Sequence, residues 1–320
     1  MHNVDVSVYM ITYFHEKYIA QAIESVLAQK TNYTYEIVIS DDCSKDATVK
    51  IIKKYIRRYP DLIRLYVHDV NKGIPDNIYN ARIHCNGKLL VGLSGDDYWI
   101  DEQKIEKQAS FLFAHPEYYS VGTGMELRYD FEKVPFRILP VKRERNVKFD
   151  LHDYESGKTL YTHGFMFRNE FNTEEGKKYY SQAKKISNVV DDAVDNVLML
   201  MRGDAYILDE ITDVYRIQRY KTRAKNYNSR FSRFEKRKQT IELYNNMTVY
   251  FANKIRLKER YVKAFSLCLL DMAMLHNIRG YINLYKTIPV KYRKPFHNGV
   301  FVHSIPAAFR FLVSKIMPNR

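Results

Sequence analysis

The feature that most constrains the fold is a regular alternation of strand-like and helix-like segments over the first 115 residues. Four short, apolar and β-branched runs predict buried strands at Val4–Ile11, Tyr35–Ser40, Ile63–His68 and Lys88–Leu93. The segments between them carry apolar residues at helical spacing, as in Tyr18–Gln29. This alternation is typical of βαβ units, in which helices cover both faces of a mainly parallel sheet. We therefore expect an α/β fold.

The loops that follow the four predicted strands are the candidate binding segments. In an open parallel sheet, ligands bind in the crevice beyond the carboxyl ends of the strands. These loops are residues 12–16, 41–46, 70–73 and 94–97, and three of the four contain carboxylates. Carboxylates hold hard cations and accept hydrogen bonds, so we expect a nucleotide and a metal ion at this edge of the sheet.

The charge is unevenly distributed along the 320 residues. Residues 216–320 contain 23 Lys or Arg and four acids, a net charge of +19, whereas residues 1–215 contain 28 basic and 33 acidic residues. A basic region behind a mildly acidic body favours contact with an anionic surface, either nucleic acid or acidic phospholipid. Because the basic residues surround no recognisable stacking or groove-reading motif, we expect no nucleic-acid partner.

Signals for export or membrane insertion are not evident. Three widely spaced cysteines, Cys43, Cys85 and Cys268, indicate reduced thiols. No basic stretch precedes an apolar run at the N-terminus, and no apolar stretch reaches about 18–20 residues. We expect a cytoplasmic protein, peripheral on the inner face of the plasma membrane. Val302–Met317 fits an amphipathic segment in an anionic membrane interface, although a helical cap with a solvated basic face fits equally well.

Five motifs follow one another in the first 100 residues. They read SVYMITY at 7–13, AIESVLAQ at 22–29, YEIVISDDCSKD at 35–46, NKG at 71–73 and GDDYW at 95–99. In this order they resemble glycosyltransferase family 2, of the type that builds bacterial cell-surface polysaccharide, whose members are inverting enzymes with the GT-A fold. The resemblance implies a Rossmann-like catalytic domain at residues 1–218, with a nucleotide-binding half to about residue 122 and an acceptor half at 123–218. A basic helical region at 219–320 would follow it.

The resemblance places the donor site at the strand ends. It implies that Thr12 and Tyr13 contact the nucleobase and that Asp42 accepts a hydrogen bond from the uracil imide of a UDP donor. Lys72 and Arg216 are further residues expected to contact the nucleotide sugar. A local role for Asp42 is the alternative, since Asx-turns and helix caps also use aspartate.

Asp96 and Asp97 are adjacent carboxylates behind a buried strand. They repel each other unless a cation, a hydrogen-bond donor or a proton intervenes. Mg²⁺ and Mn²⁺ take one or two carboxylates together with phosphate oxygens and water, so we expect one of these cations here. The family pattern has an acid at the place of Ser94 and a histidine at the place of Gln218, and both departures bear on metal use.

Asp191 and Asp192 open a predicted helix over Asn188–Gly203. By resemblance to the family's Glu-Asp motif, Asp192 is the expected catalytic base, with Asp191 as the second candidate. An inverting reaction needs one carboxylate to take the proton of the acceptor, and a partly desolvated carboxylate suits this task. Alternatively, Asp191 and Asp192 stabilise the N-terminus of the helix through its dipole, a role that is compatible with catalysis. His163 is a weaker candidate for contact with the acceptor.

The sequence therefore predicts an inverting glycosyltransferase that moves a sugar from a nucleotide donor, with UDP expected, to a glycan or lipid-linked acceptor. A degenerate protein that binds a nucleotide sugar without turnover stays open, because Ser94 and Gln218 depart from the family pattern. A nucleotidyltransferase is the other alternative. It should carry a glycine-rich phosphate loop after the first strand, and Ile11–Glu16 contains no glycine.

Overall fold

The computed structural model describes residues 4–130, 132–171, 173–187, 192–217, 231–252, 254–275 and 278–292. The chain divides into two compact units, one formed by residues 1–154 and 159–225 and the other by residues 155–158 and 226–320. Three features singled out in the sequence lie outside the described residues, namely Asp191, Gln218 and Val302–Met317.

The first unit begins with the alternation that the sequence predicts. Its elements are β1 (Val6–Thr12), α1 (Ile19–Leu27), β2 (Tyr35–Asp41), α2 (Thr48–Arg58), β3 (Ile63–Val67), α3 (Ile74–Ile83) and β4 (Leu89–Ser94). The four strands pair in parallel in the order β3-β2-β1-β4. The α/β fold expected from the alternation is therefore confirmed.

The second half of this unit extends the same sheet. Its elements are β5 (Tyr98–Trp99), α4 (Lys104–Ala114), β6 (Tyr118–Tyr129), β7 (Arg137–Leu139), a 3-10 turn (Lys142–Glu144), β8 (Val147–Phe149), α5 (Leu151–Glu155), β9 (Met166–Arg168), α6 (Glu174–Ile186), α7 (Asp192–Leu200) and β10 (Asp204–Ile217). The sheet order is β3-β2-β1-β4-β9-β6-β10-β5, with β7 paired to β6 and β8 to β10. Because β9 runs antiparallel between β4 and β6, the sheet is mixed.

The core lies where the first strands meet their helices. Val8 and Met10 of β1 pack in one fully buried cluster with Ile37 and Ile39 of β2 and Ile23 of α1. Burial of each such side chain contributes about 1.5–3 kcal/mol to folding. Continuous apolar strands of this kind are covered on both faces, which leaves the strand ends as the polar, ligand-accessible edge.

The second unit is helical in its described part. It contains α8 (Arg233–Phe251), α9 (Lys258–Leu275) and α10 (Ile278–Thr287), which agrees with the helical extension expected from the sequence. A reciprocal capping box between Ser232 and Glu235 starts α8. No helix in the described ranges is long and apolar enough to cross a membrane.

Candidate functional site

The loops after β1, β2 and β4 lie side by side at the carboxyl edge of the sheet. Asp42 N donates a hydrogen bond to Thr12 O at 3.0 Å, and Gly95 N donates one to Ile11 O at 2.8 Å. These bonds continue the parallel ladders that β1 forms with its two neighbours. The fold therefore brings Thr12, Asp42 and the loop that carries Asp96 to one edge, as the strand pattern predicts.

Asp42 ties two of the loops together. Its buried carboxylate accepts hydrogen bonds from Lys72 N at 2.6 Å and from Gly73 N at 2.9 Å. The local turn is made instead by Asp41, which accepts from Ser44 N and Ser44 Oγ. Each oxygen of the Asp42 carboxylate keeps a second lone pair for another donor. The side chain of Lys72 is exposed at this edge.

The segment after β1 offers polar and aromatic groups to the same edge. Thr12 Oγ1 is buried and has no hydrogen-bond partner within the described ranges. Tyr13 is half-buried, and its ring packs edge-on against Phe14 at 4.5 Å. Phe14 adopts a positive φ of 58°, and its N–H donates to Ser44 Oγ at 2.9 Å. The conformation of this segment is therefore held by the neighbouring loop.

Asp96 is the more exposed member of the carboxylate pair. Its side chain is 21% exposed, and His15 Nε2 lies 3.8 Å from its Oδ2. Ser94 Oγ donates to its Oδ1 at 2.6 Å. Burial acts to raise the pKa of Asp96, but His15, Ser94 and Arg216 outweigh burial and bring the pKa below its ordinary value. Asp96 is therefore an ionised carboxylate near neutral pH.

Asp97 is turned into the protein. It is 2% exposed, and its Oδ1 accepts a hydrogen bond from Arg216 N at 2.6 Å. Its Oδ2 lies 3.8 Å from His163 Nδ1. Burial, followed by the charge of Asp96, raises the pKa of Asp97 well above its ordinary value, although Arg216 opposes the shift. The two adjacent carboxylates therefore occupy different environments.

Arg216 fixes the loop that carries Asp96 through hydrogen bonds of its guanidinium group. Its guanidinium donates hydrogen bonds to Asp130 O at 2.8 Å, to Gln21 Oε1 at 2.6 Å and to Asp96 O. It also lies 4.6 Å from the centre of the Tyr18 ring, and the residue is 4% exposed. These contacts favour a positioning role over the direct contact with the donor that the sequence suggests. Sequence reasoning did not identify Gln21, Tyr18 or Asp130 as partners of this arginine.

Asp192 begins α7 and is exposed, so the partial burial expected of a base is not present around it. Its charge acts on both His163 and Tyr215. Burial lowers the pKa of His163 below its ordinary value, while Asp192 is among the charges that oppose this shift. His163 packs edge-on against Tyr215 at 5.4 Å. The charge of Asp192 therefore acts on the same two rings, His163 and Tyr215, that lie beside Asp97.

A buried ion pair between Lys104 of α4 and Asp213 of β10 holds the turn that carries His163. Lys104 and Asp213 have no exposed side-chain surface, and Lys104 Nζ lies 2.9 Å from Asp213 Oδ2. Lys104 Nζ also donates to Gly164 O at 2.9 Å and to Thr212 Oγ1 at 3.0 Å. Gln108 Nε2 donates to the same Gly164 carbonyl at 3.0 Å. The helix that follows Asp97 thus holds the turn that contains His163.

Sequence reasoning missed this network. Gly164 has a φ of +66°, and a Cβ atom there would lie 2.5 Å from Asp213 Oδ1, so this position requires glycine. Helical spacing was the signal that could have indicated buried positions for Lys104 and Gln108. The two residues lie four positions apart in α4 and directly precede the buried Ile105 and Ala109.

A separate cavity lies between α3, α6 and α7. It is lined by Arg82, Tyr179 and Asp195, among others, and contains none of the strand-end residues described above. Arg82 and Asp195 form a largely buried ion pair at 2.6 Å, and Tyr179 Oη donates to Asp195 at 2.7 Å. This pair fixes α7, which carries Asp192, against α3.

Asp96 and Asp97 are the candidate ligands for the divalent cation that the sequence predicts. Within the described ranges, no three His, Cys, Asp or Glu side chains form a closed metal cage. Mg²⁺ and Mn²⁺ sites of nucleotide-dependent enzymes do not need such a cage, since phosphate and water oxygens complete the coordination. The ionised and partly exposed Asp96 fits this requirement.

Comparison with known proteins identifies the family. The family profile "Glycosyl transferase family 2" matches residues 7–174, which is just over half of the chain. The putative glycosyltransferase EpsE of Bacillus subtilis is 36% identical over 135 residues, which cover 42% of this chain and 48% of EpsE. The match to an uncharacterized Mycobacterium bovis protein covers 32% of that protein. The chain thus spans less than half the length of these curated relatives.

Solved structures match over nearly the whole chain. The S. aureus TarS 1–349 structure in complex with UDP has a TM-score of 0.56 at 17% identity and covers 96% of this chain and 82% of TarS 1–349. The mannosyltransferase PcManGT from Pyrobaculum calidifontis, in complex with GDP-Man and Mn²⁺, has a TM-score of 0.54 at 14% identity, with coverage of 98% and 84%. These likenesses show the shared GT-A fold. On the match of the family profile, the chain belongs to glycosyl transferase family 2.

Proposed function

We propose that the chain is an inverting, metal-dependent glycosyltransferase that moves a sugar from a nucleotide donor to a glycan or lipid-linked acceptor in surface polysaccharide synthesis. The observation that carries the proposal is the meeting of Thr12, Asp42 and the ionised Asp96 at the carboxyl edge of the sheet. This edge is where an α/β sheet binds its ligand. Membership of the family supports the reaction class, and the UDP complex of TarS supports UDP as the nucleotide.

The donor site is assigned to the first three loops. Asp42 accepts the imide N–H of uracil through its remaining lone pairs, while its bonds to the amides of Lys72 and Gly73 keep the carboxylate in place. The free hydroxyl of Thr12 and the ring of Tyr13 complete the nucleobase site. The exposed ammonium group of Lys72 is available to the diphosphate.

Stabilisation of the departing diphosphate is assigned to Asp96 and the cation that it would hold. Asp96 would hold Mn²⁺ or Mg²⁺, while the buried Asp97 accepts a hydrogen bond from Arg216 N behind it. Such an ion supplies positive charge that offsets the charge of the leaving group. Arg216 keeps the backbone of this loop in place through its bonds to Asp96 O and to the Asp97 carboxylate.

Removal of the proton from the acceptor hydroxyl is assigned to Asp192, with Asp191 as the alternative base. In a single displacement, the acceptor oxygen attacks the anomeric carbon while a carboxylate on the opposite side from the leaving group takes the proton. Asp192 begins α7, and its charge acts on His163 and Tyr215, which supports a role on the acceptor side. A bound acceptor would supply the desolvation that raises the proton affinity of this carboxylate.

Turnover of nucleotide sugars by the purified chain tests this function. A panel of UDP-sugars and GDP-sugars with Mn²⁺ is expected to yield a nucleoside diphosphate from at least one donor. A nucleotidyltransferase would instead form or consume pyrophosphate. Donor binding without any release of diphosphate, with or without candidate acceptors, would favour the binding-only alternative.

We also propose that the basic C-terminal region brings the enzyme to the inner face of the plasma membrane. The supporting observation is the net charge of +19 after residue 215, since each Lys or Arg near an anionic lipid surface contributes about 1 kcal/mol. Truncation before residue 300 is expected to weaken sedimentation with anionic liposomes, while neutral liposomes bind poorly throughout. Preferential binding to duplex DNA, with no preference for lipid, would contradict this proposal.

A further inference from the structure

His15 lies directly beside Asp96, although no sequence motif assigns it a role. Its side chain is 15% exposed, and its Nε2 lies 3.8 Å from Asp96 Oδ2. A hydrogen bond between these atoms would require about 2.7–3.2 Å, so the two groups face each other without a hydrogen bond. Within the described part of the chain, Nδ1 of the ring has no hydrogen-bond partner either.

The backbone holds His15 in this position. His15 O accepts hydrogen bonds from Tyr18 N and Ile19 N, both at 2.9 Å, at the start of α1. On the other side, a Cβ atom on Gly95 would lie 2.9 Å from His15 Nδ1, so the absence of a side chain at residue 95 lets the ring approach the Asp96 loop. The turn at the start of α1 and the glycine at position 95 therefore place the imidazole beside Asp96.

The separation of the two groups suits a bridging cation. Two ligand atoms that each lie about 2.1 Å from one ion are ~4.2 Å apart when they sit on opposite sides of it. They are ~3.0 Å apart when they occupy adjacent octahedral positions. The observed 3.8 Å between His15 Nε2 and Asp96 Oδ2 lies between these limits. A shift of less than about 1 Å in either side chain therefore gives octahedral coordination.

We propose that His15 is a second protein ligand, beside Asp96, of the divalent cation in this site. This inference rests on the proposed function, because the nucleotide diphosphate supplies the remaining ligands. An imidazole nitrogen suits transition-metal ions, whereas Mg²⁺ prefers oxygen ligands. His15 therefore favours Mn²⁺ over Mg²⁺, and the His15–Asp96 pair sets the metal preference of the enzyme.

Pulsed electron paramagnetic resonance on the full chain with Mn²⁺ and UDP tests the assignment without any turnover. The wild type is expected to show echo modulation from a directly bound imidazole ¹⁴N, and labelling with [¹⁵N]histidine should change that modulation. His15→Gln is expected to remove it and to raise the Kd of Mn²⁺ about tenfold or more. It should also reduce the preference for Mn²⁺ over Mg²⁺. His84→Gln is the matched control, because His84 stacks on Tyr66 and its Nδ1 contacts Asn80 O.

The possible results separate the inference from the proposed function. If Mn²⁺ binds in an Asp96-dependent way but histidine labelling leaves the modulation unchanged, His15 is not a ligand and the proposed function stands. Modulation that persists in His15→Gln and disappears in His163→Gln would also overturn the inference, because it would move the ligand to the ring beside Asp97. If UDP recruits no Mn²⁺ to the wild type, the inference and the metal dependence of the proposed function both fail.

Discussion

Replacing Asp192 by asparagine is expected to lower the rate of sugar transfer by about 10²–10⁴-fold, because the amide cannot accept the proton of the acceptor. The Kd of the donor should stay within a few-fold of the wild-type value, since Asp192 lies on α7 and not in the strand-end loops. Thermal unfolding should change little, because one acid at a helix N-terminus contributes only about 0.3–1 kcal/mol. Steady-state kinetics with donor titrations measure both effects.

Asp191→Asn is the internal control for this prediction. An orienting or helix-stabilising residue should cost less activity than the base itself. If the two variants behave in reverse, Asp191 is the base. If both keep near-normal transfer rates, the pair only begins a helix and the base lies elsewhere. A product with retained anomeric configuration would contradict a single displacement altogether.

Replacing Lys104 by methionine is expected to lower the free energy of unfolding by about 3–5 kcal/mol, because it leaves Asp213 buried without its cation. Lys104 and Asp213 are both fully buried, so water does not replace the lost partner. Urea or guanidinium denaturation, followed by circular dichroism, measures the change. His163 is expected to lose its fixed position at the same time, because Lys104 Nζ also holds Gly164 O.

The double variant Lys104→Met/Asp213→Leu separates the charge effect from the loss of packing. Replacing both partners by apolar residues removes the unpaired charge, so we expect the double variant to be more stable than Lys104→Met by at least about 2 kcal/mol. Lys107→Met is the surface control on the same helix. Lys107 pairs with Asp101 but is 34% exposed, and such pairs contribute about 0–1 kcal/mol. Equal losses in the single and double variants would contradict the buried-pair account.

The first four strands and the donor-side loops were predictable because their signals are local. In β1 and β2, buried β-branched runs end directly before Thr12 and Asp42, and parallel pairing brings those ends together without further information. The separate roles of Asp41 and Asp42 were not predictable. Both are acids in one turn, and the choice depends on the amides of Lys72 and Gly73, 30 residues or more along the chain.

The second half of the first unit was less predictable because its pairings are distant in sequence. Residues 122–185 have a less regular sequence pattern than the first half, yet the structure places the end of β6 and all but the last residue of α6 there. The parallel partner of β6 is β10, which begins 75 residues after β6 ends. The periodicity of a local segment contains no information about pairing between strands so far apart in the sequence.

The measurement that tests the central claim most directly is calorimetric titration of UDP into the wild type and into Asp96→Ala, each with and without Mn²⁺. We expect UDP to bind to the wild type and Mn²⁺ to strengthen this binding. Asp96→Ala should abolish the gain and keep the metal-free affinity. Asp101→Ala is the matched control, since Asp101 lies on the same segment but pairs with Lys107. A gain from Mn²⁺ that is equal in the wild type and in Asp96→Ala, or no binding of UDP to the wild type, would contradict the account.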